Sequence, residues 1–242
     1  MSRILVVGAG GVGASMASIA ETRSFFDHFV LADINEQRCI DALKALDNPT
    51  RFSTAKVDAS NKADIVALAK AQKIDIIVNA CDPRLNDPIF EAAYEAGCTY
   101  VDMAMNLSKP HPTNPYNEVG KPLGEAQLAA DPQWREKGLL ALVGMGVEPG
   151  LSNVFARYAA DHLFDTIDEI GVRDGSNLSI DGFEFAPTFS IWTTIEECLN
   201  PPIVWEKSRG LFTTECFSEP EVFHFPAGIG AYECVNVEHE EV

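Results

Sequence analysis

Positive charge is what this chain has least of. Its 242 residues carry 18 Lys and Arg against 36 Asp and Glu, a formal net charge of −18 at neutral pH. A field of that sign repels nucleic acid and anionic lipid, so neither is an expected partner. The deficit is uneven: residues 151–242 hold 17 acidic and 4 basic side chains, residues 1–150 hold 19 and 14. Long apolar runs are missing too, and no segment reaches the length of a membrane span. A secretory leader is not expected, because Arg3 runs at once into a strand-like segment and glycines without a cleavage site. The expected location is therefore cytoplasmic. The six cysteines, at 39, 81, 98, 198, 216 and 234, are scattered without a C-x-x-C pair. That spacing argues against a zinc site and a disulfide framework, and leaves buried reduced thiols. No metal site is expected.

What is present is hydrophobic: 46% of the residues, enough for a packed core. In the first 150 residues short apolar runs alternate with helical patterns. Ile4–Val7, Phe29–Ala32, Ala55–Val57, Ile74–Val78, Thr99–Val101 and Leu139–Val143 read as buried strands. Val12–Thr22, Glu36–Leu46, Lys62–Ala71, Pro88–Ala96 and, in pieces, Leu123–Lys137 read as helices. Such alternation predicts an α/β fold, a doubly wound parallel sheet with helices on both faces, over residues 1–150. Residues 104–121, rich in Pro and Asn, form a long loop inside it. Residues 151–242 read as a second, α+β domain: helix Leu151–Leu163, strands Ile167–Val172, Val222–Phe225 and Tyr232–Val237, and a short helix Thr193–Leu199 ending at Asn200-Pro201-Pro202. The last strand is expected to pair in a second-domain sheet, and an apolar strand edge there invites a homodimer.

The first strand runs into Gly8-Ala9-Gly10-Gly11-Val12-Gly13, a G-x-G-x-x-G that opens a helix. In that context the pattern reads as a dinucleotide loop. Gly8 allows the turn, Gly10 admits the pyrophosphate, Gly13 lets the helix pack closely, and the helix N-terminus offers its N–H groups to phosphate. Asp33 stands 20 residues after Gly13, where an acidic side chain binds the adenosine ribose. No arginine follows directly, so NAD is expected over NADP. As an alternative, Asp33 caps the next helix, with Glu36 completing a capping box. Asp58 ends the third strand, near an adenine in this layout; Asn79, Ala80 and Cys81 end the fourth, near the nicotinamide ribose.

With these motifs on the page the chain resembles the saccharopine dehydrogenase-like oxidoreductases, a family that includes saccharopine reductase and lysine 6-dehydrogenase. The residues that carry the likeness are "VVGAGGVG", "LADIN", "VDAS", "IIVNACDP", "AGCTYVDMA", "GMGVEPGLSN" and "FSIWTTIEECLNPPIVWEKSRG". The resemblance implies a Rossmann domain, a substrate and dimerisation domain, and NAD(P) chemistry at a C–N bond of an amino acid or amino-acid-derived secondary amine. Carried over, Gly8, Gly10, Gly13, Asp33, Asp58 and Asn79 to Cys81 hold the cofactor. Asp102 and Val147 to Gly150 border the cleft where nicotinamide meets substrate. Glu148 stands where saccharopine reductase-like sequences usually have Asp. Members are usually longer and return to the first domain at their C-terminus, so the resemblance implies a C-terminally shortened chain.

Oxidising an amine needs a cofactor for the hydride and a protein group for the proton. The expected acid/base candidates are Asp102 and Glu148. Lys109, His111 and His239 are further titratable candidates, whereas His162 and His224 fit a helix and a strand. A substrate carboxylate wants Arg, and Arg173 is the first choice over Arg157 and Arg209, with His111 beside it as a substrate-binding candidate. The competing class is a dinucleotide-binding or redox-sensing protein without turnover. A short-chain alcohol dehydrogenase is opposed by the lack of a Tyr-x-x-x-Lys pair.

Overall fold

Leu5 and Val7 point to one face of the first strand, Ile4 and Val6 to the other, and all four are buried. A strand buried on both faces belongs in the middle of a sheet with helices above and below, and that is where the computed structural model puts it. The structure describes residues 1–175, 178–184 and 190–239. Phe189, the first residue of the "FSIW" segment, lies outside the described residues.

Six strands make one parallel sheet: β1 (Ser2–Val7), β2 (Phe26–Asp33), β3 (Phe52–Lys56), β4 (Ile76–Asn79), β5 (Thr99–Asp102) and β6 (Ala141–Leu142), in the spatial order β3-β2-β1-β4-β5-β6. This is the doubly wound order that reverses direction between β1 and β4. On one face Ile4, Val6 and Leu31 join the apolar sides of α1 (Gly11–Glu21) and α2 (Glu36–Lys44) through Ala17, Cys39 and Leu43. On the other, Leu5, Val7 and Val30 join α3 (Lys62–Gln72) and α4 (Asn86–Ala96) through Ile65, Val66, Ile89 and Phe90. Asparagines start two of the helices. Asn35 Oδ1 accepts from Gln37 N–H at α2, and Asn61 Oδ1 accepts from Ala63 N–H at α3. Two short helices, α5 (Glu125–Ala129) and α6 (Asp131–Glu136), lead into β6. Trp134 of α6 is buried against Phe90, Tyr94 and Tyr100.

By its internal contacts the chain falls into two units. Met1–Asn106 with Gly124–Gly146 makes the first; Leu107–Leu123 with Val147–Val242 makes the second. Residues 107–121 of the loop that sequence reading leaves in the first domain group with the second unit, and 104–106 stay with the first. The loop is stapled by a backbone bridge between Lys109 and Lys121, and the bridge turns the segment back on itself.

The second unit holds α7 (Leu151–His162), α8 (Ile191–Leu199) and two antiparallel pairs, β7 (Ile203–Glu206) with β8 (Gly210–Thr213) and β9 (Glu221–Phe225) with β10 (Gly230–Cys234). Two differences from the sequence reading stand out. Ile167–Val172 forms no strand, and Ile170 and Val172 are exposed; among the described residues no strand pairs with them. The β7–β8 hairpin has no counterpart in the sequence reading, because its turn, Lys207-Ser208-Arg209, lacks the Asn-Gly or Asp-Gly signature that marks tight hairpins. The terminal strand does pair, with β9, but over Gly230–Cys234.

Candidate dinucleotide site

At the carboxyl end of β1 the chain makes a turn that only glycine fits. Gly8 has φ of +108°, and a Cβ there would lie 2.6 Å from the Ala80 carbonyl oxygen. Gly13, in the first turn of α1, is equally constrained: its Cβ would fall on the Gly8 carbonyl oxygen. Both glycines are thus required by the protein's own packing.

Gly10 and Gly11 are different. A Cβ at either would meet nothing within 4 Å, and Gly10 has an ordinary φ of −75°. Among the described residues nothing packs so closely as to demand glycine at these two positions. They face outward at the first turn of α1, where no side chain caps the helix. Uncapped N–H groups beside open, glycine-lined space form an anion cradle. That cradle fits a dinucleotide pyrophosphate.

Asp33 ends β2 beside the loop. Its Oδ2 accepts from Ala9 N–H at 2.8 Å and its Oδ1 from Asn35 N–H at 2.9 Å. Asn35 is the cap of α2, and Glu36 Oε1 accepts from the Thr54 hydroxyl. The capping-box alternative for Asp33 is therefore replaced by a bond that braces the glycine loop. Asp58, after β3, is partly buried, and its Oδ1 accepts from both the amide and the hydroxyl of Ser60. Those bonds, the hydroxyl's first, lower its pKa.

The residues after β4 turn inward. Asn79 is 2% exposed; its Nδ2 donates to Asn86 Oδ1 at 2.6 Å and to the Tyr100 hydroxyl at 3.2 Å, and its Oδ1 accepts from Cys81 N–H. Ala80 offers its backbone, donating to Val7 O and touching Gly8. The Cys81 thiol leans on Val7 O, and burial, aided by Asp33 and Asp82, pushes its pKa up to about 12. It is a packed thiol and not a nucleophile.

Asp102 is 1% exposed. Its Oδ1 accepts from Gly144 N–H and its Oδ2 from Gln127 Nε2, both at 2.7 Å. Burial raises its pKa against the lowering effect of these bonds and of the Tyr100 hydroxyl. A carboxylate enclosed in this way braces its surroundings. Sequence reasoning singled out Asp102 and Asn79 and missed Tyr100, Asn86 and Gln127. Tyr100 was legible as the residue two before Asp102 on the same strand face; Gln127 carries no sequence signal.

The remaining candidates lie in the second unit. Glu148 is partly buried, just before Pro149 and Gly150. Arg173 is already engaged: Nε donates to Glu221 at 2.6 Å and Nη2 to Glu169 at 3.2 Å. A guanidinium held between two carboxylates has fewer donors left for a substrate anion. His111 Nδ1 accepts from Asn114 N–H and Nε2 sits 3.5 Å from Glu118, so this ring organises its own loop. Among the described residues no helix is long and apolar enough to cross a membrane.

Comparison with known proteins places these features. Residues 4–142 match the family model described as the saccharopine dehydrogenase NADP binding domain. The chain is 31% identical over 253 residues to the carboxynorspermidine synthase of Vibrio alginolyticus, covering 99% of this chain and 58% of that protein. It is 32% identical over 197 residues to the carboxyaminopropylagmatine dehydrogenase of Synechocystis, covering 81% of this chain and 47% of that one. In structure it is similar to the apo saccharopine dehydrogenase (L-Glu forming) of Saccharomyces cerevisiae, with a TM-score of 0.65 at 12% identity, over 99% of this chain and 50% of that chain. The chain thus spans about half the length of the relatives it matches.

Proposed function

The chain belongs to the saccharopine dehydrogenase NADP-binding domain family, and on that premise we propose that it serves an NAD(P)-dependent oxidoreductase acting on a C–N bond of a carboxylated secondary amine. The observation that carries the reading is the pair Gly10 and Gly11, glycines that no packing requires, at the uncapped start of α1 and beside Asp33.

When bound, the dinucleotide supplies or accepts the hydride. The chain's own residues do the rest. The first-turn amides of α1 hold the pyrophosphate, and Asp33 orients the adenosine ribose. Its charge, 9% exposed, opposes a 2′-phosphate, which supports NAD over NADP. Of the two acid/base candidates only Glu148 is not enclosed, so it is assigned the proton on the amine nitrogen.

The substrate class is narrower than saccharopine or lysine. Two relatives are named for carboxylated polyamine-like compounds. The acidic bias of residues 151–242, 17 acidic against 4 basic, suits a polycationic amine, which that field would attract. A second copy of the chain is the proposed partner. Among the described residues the two-stranded sheets leave edges unpaired, and α7 exposes Val154, Phe155 and Tyr158 along one stripe.

The test is imine reduction followed by nicotinamide absorbance, with carboxylated polyamine precursors set beside saccharopine and lysine. Turnover on the polyamine-type pair, lost in Glu148→Gln, supports the reading. Binding of the dinucleotide without turnover on any amine favours a non-catalytic dinucleotide sensor instead.

A further inference from the structure

The ends of β4 and β5 are paired in register at Asn79 and Asp102, and both side chains turn into the protein. Around them lies a closed polar network: Asn79, Asn86, Tyr100, Asp102 and Gln127 are each at most 5% exposed. Asn79 Nδ2 donates to Asn86 Oδ1 and to the Tyr100 hydroxyl, and Tyr100 stands two residues before Asp102 on the same face of β5. The set reaches three loops through their backbones. Asn79 Oδ1 holds Cys81 N–H at 2.9 Å. Asn86 Nδ2 holds Ala104 O at 2.8 Å, and Gln127 Oε1 holds Asn106 N–H at 2.8 Å. Asp102 Oδ1 holds Gly144 N–H at 2.7 Å.

These loops follow β4, β5 and β6, at the strand ends where an open parallel sheet binds its ligand. The network's polarity is directional. Two donors converge on position 102, the Gly144 amide on one oxygen and the Gln127 amide on the other. Only a group that accepts on both oxygens and never donates satisfies them. Gln127 in turn must donate to Asp102 and accept from Asn106, so its amide cannot flip without losing both bonds.

We propose that Asp102 is a positioning residue, the acceptor that locks the 80–82, 104–106 and 144–145 backbones into the floor of the dinucleotide site, and not the group that exchanges a proton with substrate. The proposal rests on the dinucleotide reading above.

The test exploits the direction of the bonds. Asp102→Asn turns one acceptor into a donor that faces the Gln127 amide, leaving two buried donors opposed. Dinucleotide affinity and amide-exchange protection at Asn106 and Gly144 are expected to fall on the order of ten- to a hundredfold. Adding Gln127→Glu reverses the polarity. The new amide at 102 donates to the new carboxylate at 127, which still accepts from Asn106 N–H, while Gly144 N–H keeps its acceptor. A positioning role predicts that the double variant regains protection, affinity and turnover to within a few fold of the parent, with an unchanged pH profile.

Recovery of protection and affinity without turnover would overturn the proposal and make Asp102 the proton carrier. So would single and double variants that differ in none of these readouts. Amide exchange needs no cofactor, so it judges the proposal even if the parent protein fails to bind a dinucleotide, an outcome that sinks the functional reading instead.

Discussion

The carboxylate of Asp33 accepts from the backbone N–H of Ala9 at 2.8 Å, tying the end of β2 to the glycine loop that follows β1. That bond fixes the shape of the loop, and the same carboxylate is the one we propose to meet the adenosine ribose. Asp33→Asn keeps the size, removes the charge and leaves one acceptor for two amides, those of Ala9 and Asn35. NAD affinity should fall on the order of tenfold, and any preference over NADP should narrow. The check is a parallel titration of both cofactors. A variant that keeps the parent's discrimination would remove Asp33 from cofactor selection and direct attention to exposed Arg38 in α2.

Glycines 10 and 13 should behave oppositely. Gly13→Ala drives a methyl group against the Gly8 carbonyl, so it should cost about 3 kcal/mol or more of stability. Gly10→Val meets open space within the protein. It should leave the melting temperature nearly unchanged and abolish dinucleotide binding. Thermal melts and titrations of the pair decide it; a folded Gly10→Val protein that still binds would reduce the loop to a turn.

Three thiols are held protonated by burial, Cys39 and Cys98 up to about 11 and Cys81 up to about 12, from an ordinary value of 9.0. The unfolded chain sheds these protons before the folded one does. The stability they carry is therefore complete below pH 9 and is lost as the pH climbs toward the folded values. Iodoacetamide at pH 8 should leave all three unmodified in the folded protein, as read by peptide mass. Denaturant midpoints should fall less steeply above pH 9 in Cys81→Ala than in the parent. Rapid alkylation of Cys81 would contradict its enclosed position.

Arg173 joins Glu169 to the first residue of β9, Glu221. Both carboxylates are substantially exposed, so the pairs are screened and Arg173→Gln should cost about 1 kcal/mol or less. Its effect on substrate KM should be under about threefold, where loss of a carboxylate clamp would raise KM by tenfold or more.

What the sequence disclosed followed from periodicity and backbone demands. β1 and α1 were legible because Ile4–Val7 is apolar on both faces and the glycines fall at the turn, and Asp33 because its distance from Gly13 is set by the βαβ unit. Side-chain direction at strand ends was not legible. Asn79 and Asp102 looked like ligands for the cofactor end, yet the pleat aims both inward, toward partners such as Gln127 that lie 25 residues away in the chain. The charge partners of Arg173 were hidden for the same reason, since Glu221 is 48 residues on. In the second unit the hairpin β7–β8 depends on pairing across an undistinguished turn, and Ile167–Val172 has strand-like composition without a partner strand among the described residues.

The most direct measurement of the central claim is a calorimetric titration of the chain with NADH and NADPH. One dinucleotide per chain is expected, with NADH bound at least tenfold more tightly, and heat that disappears in folded Gly10→Val. A folded protein that binds neither cofactor, or binds them through the Gly10→Val substitution, would contradict it.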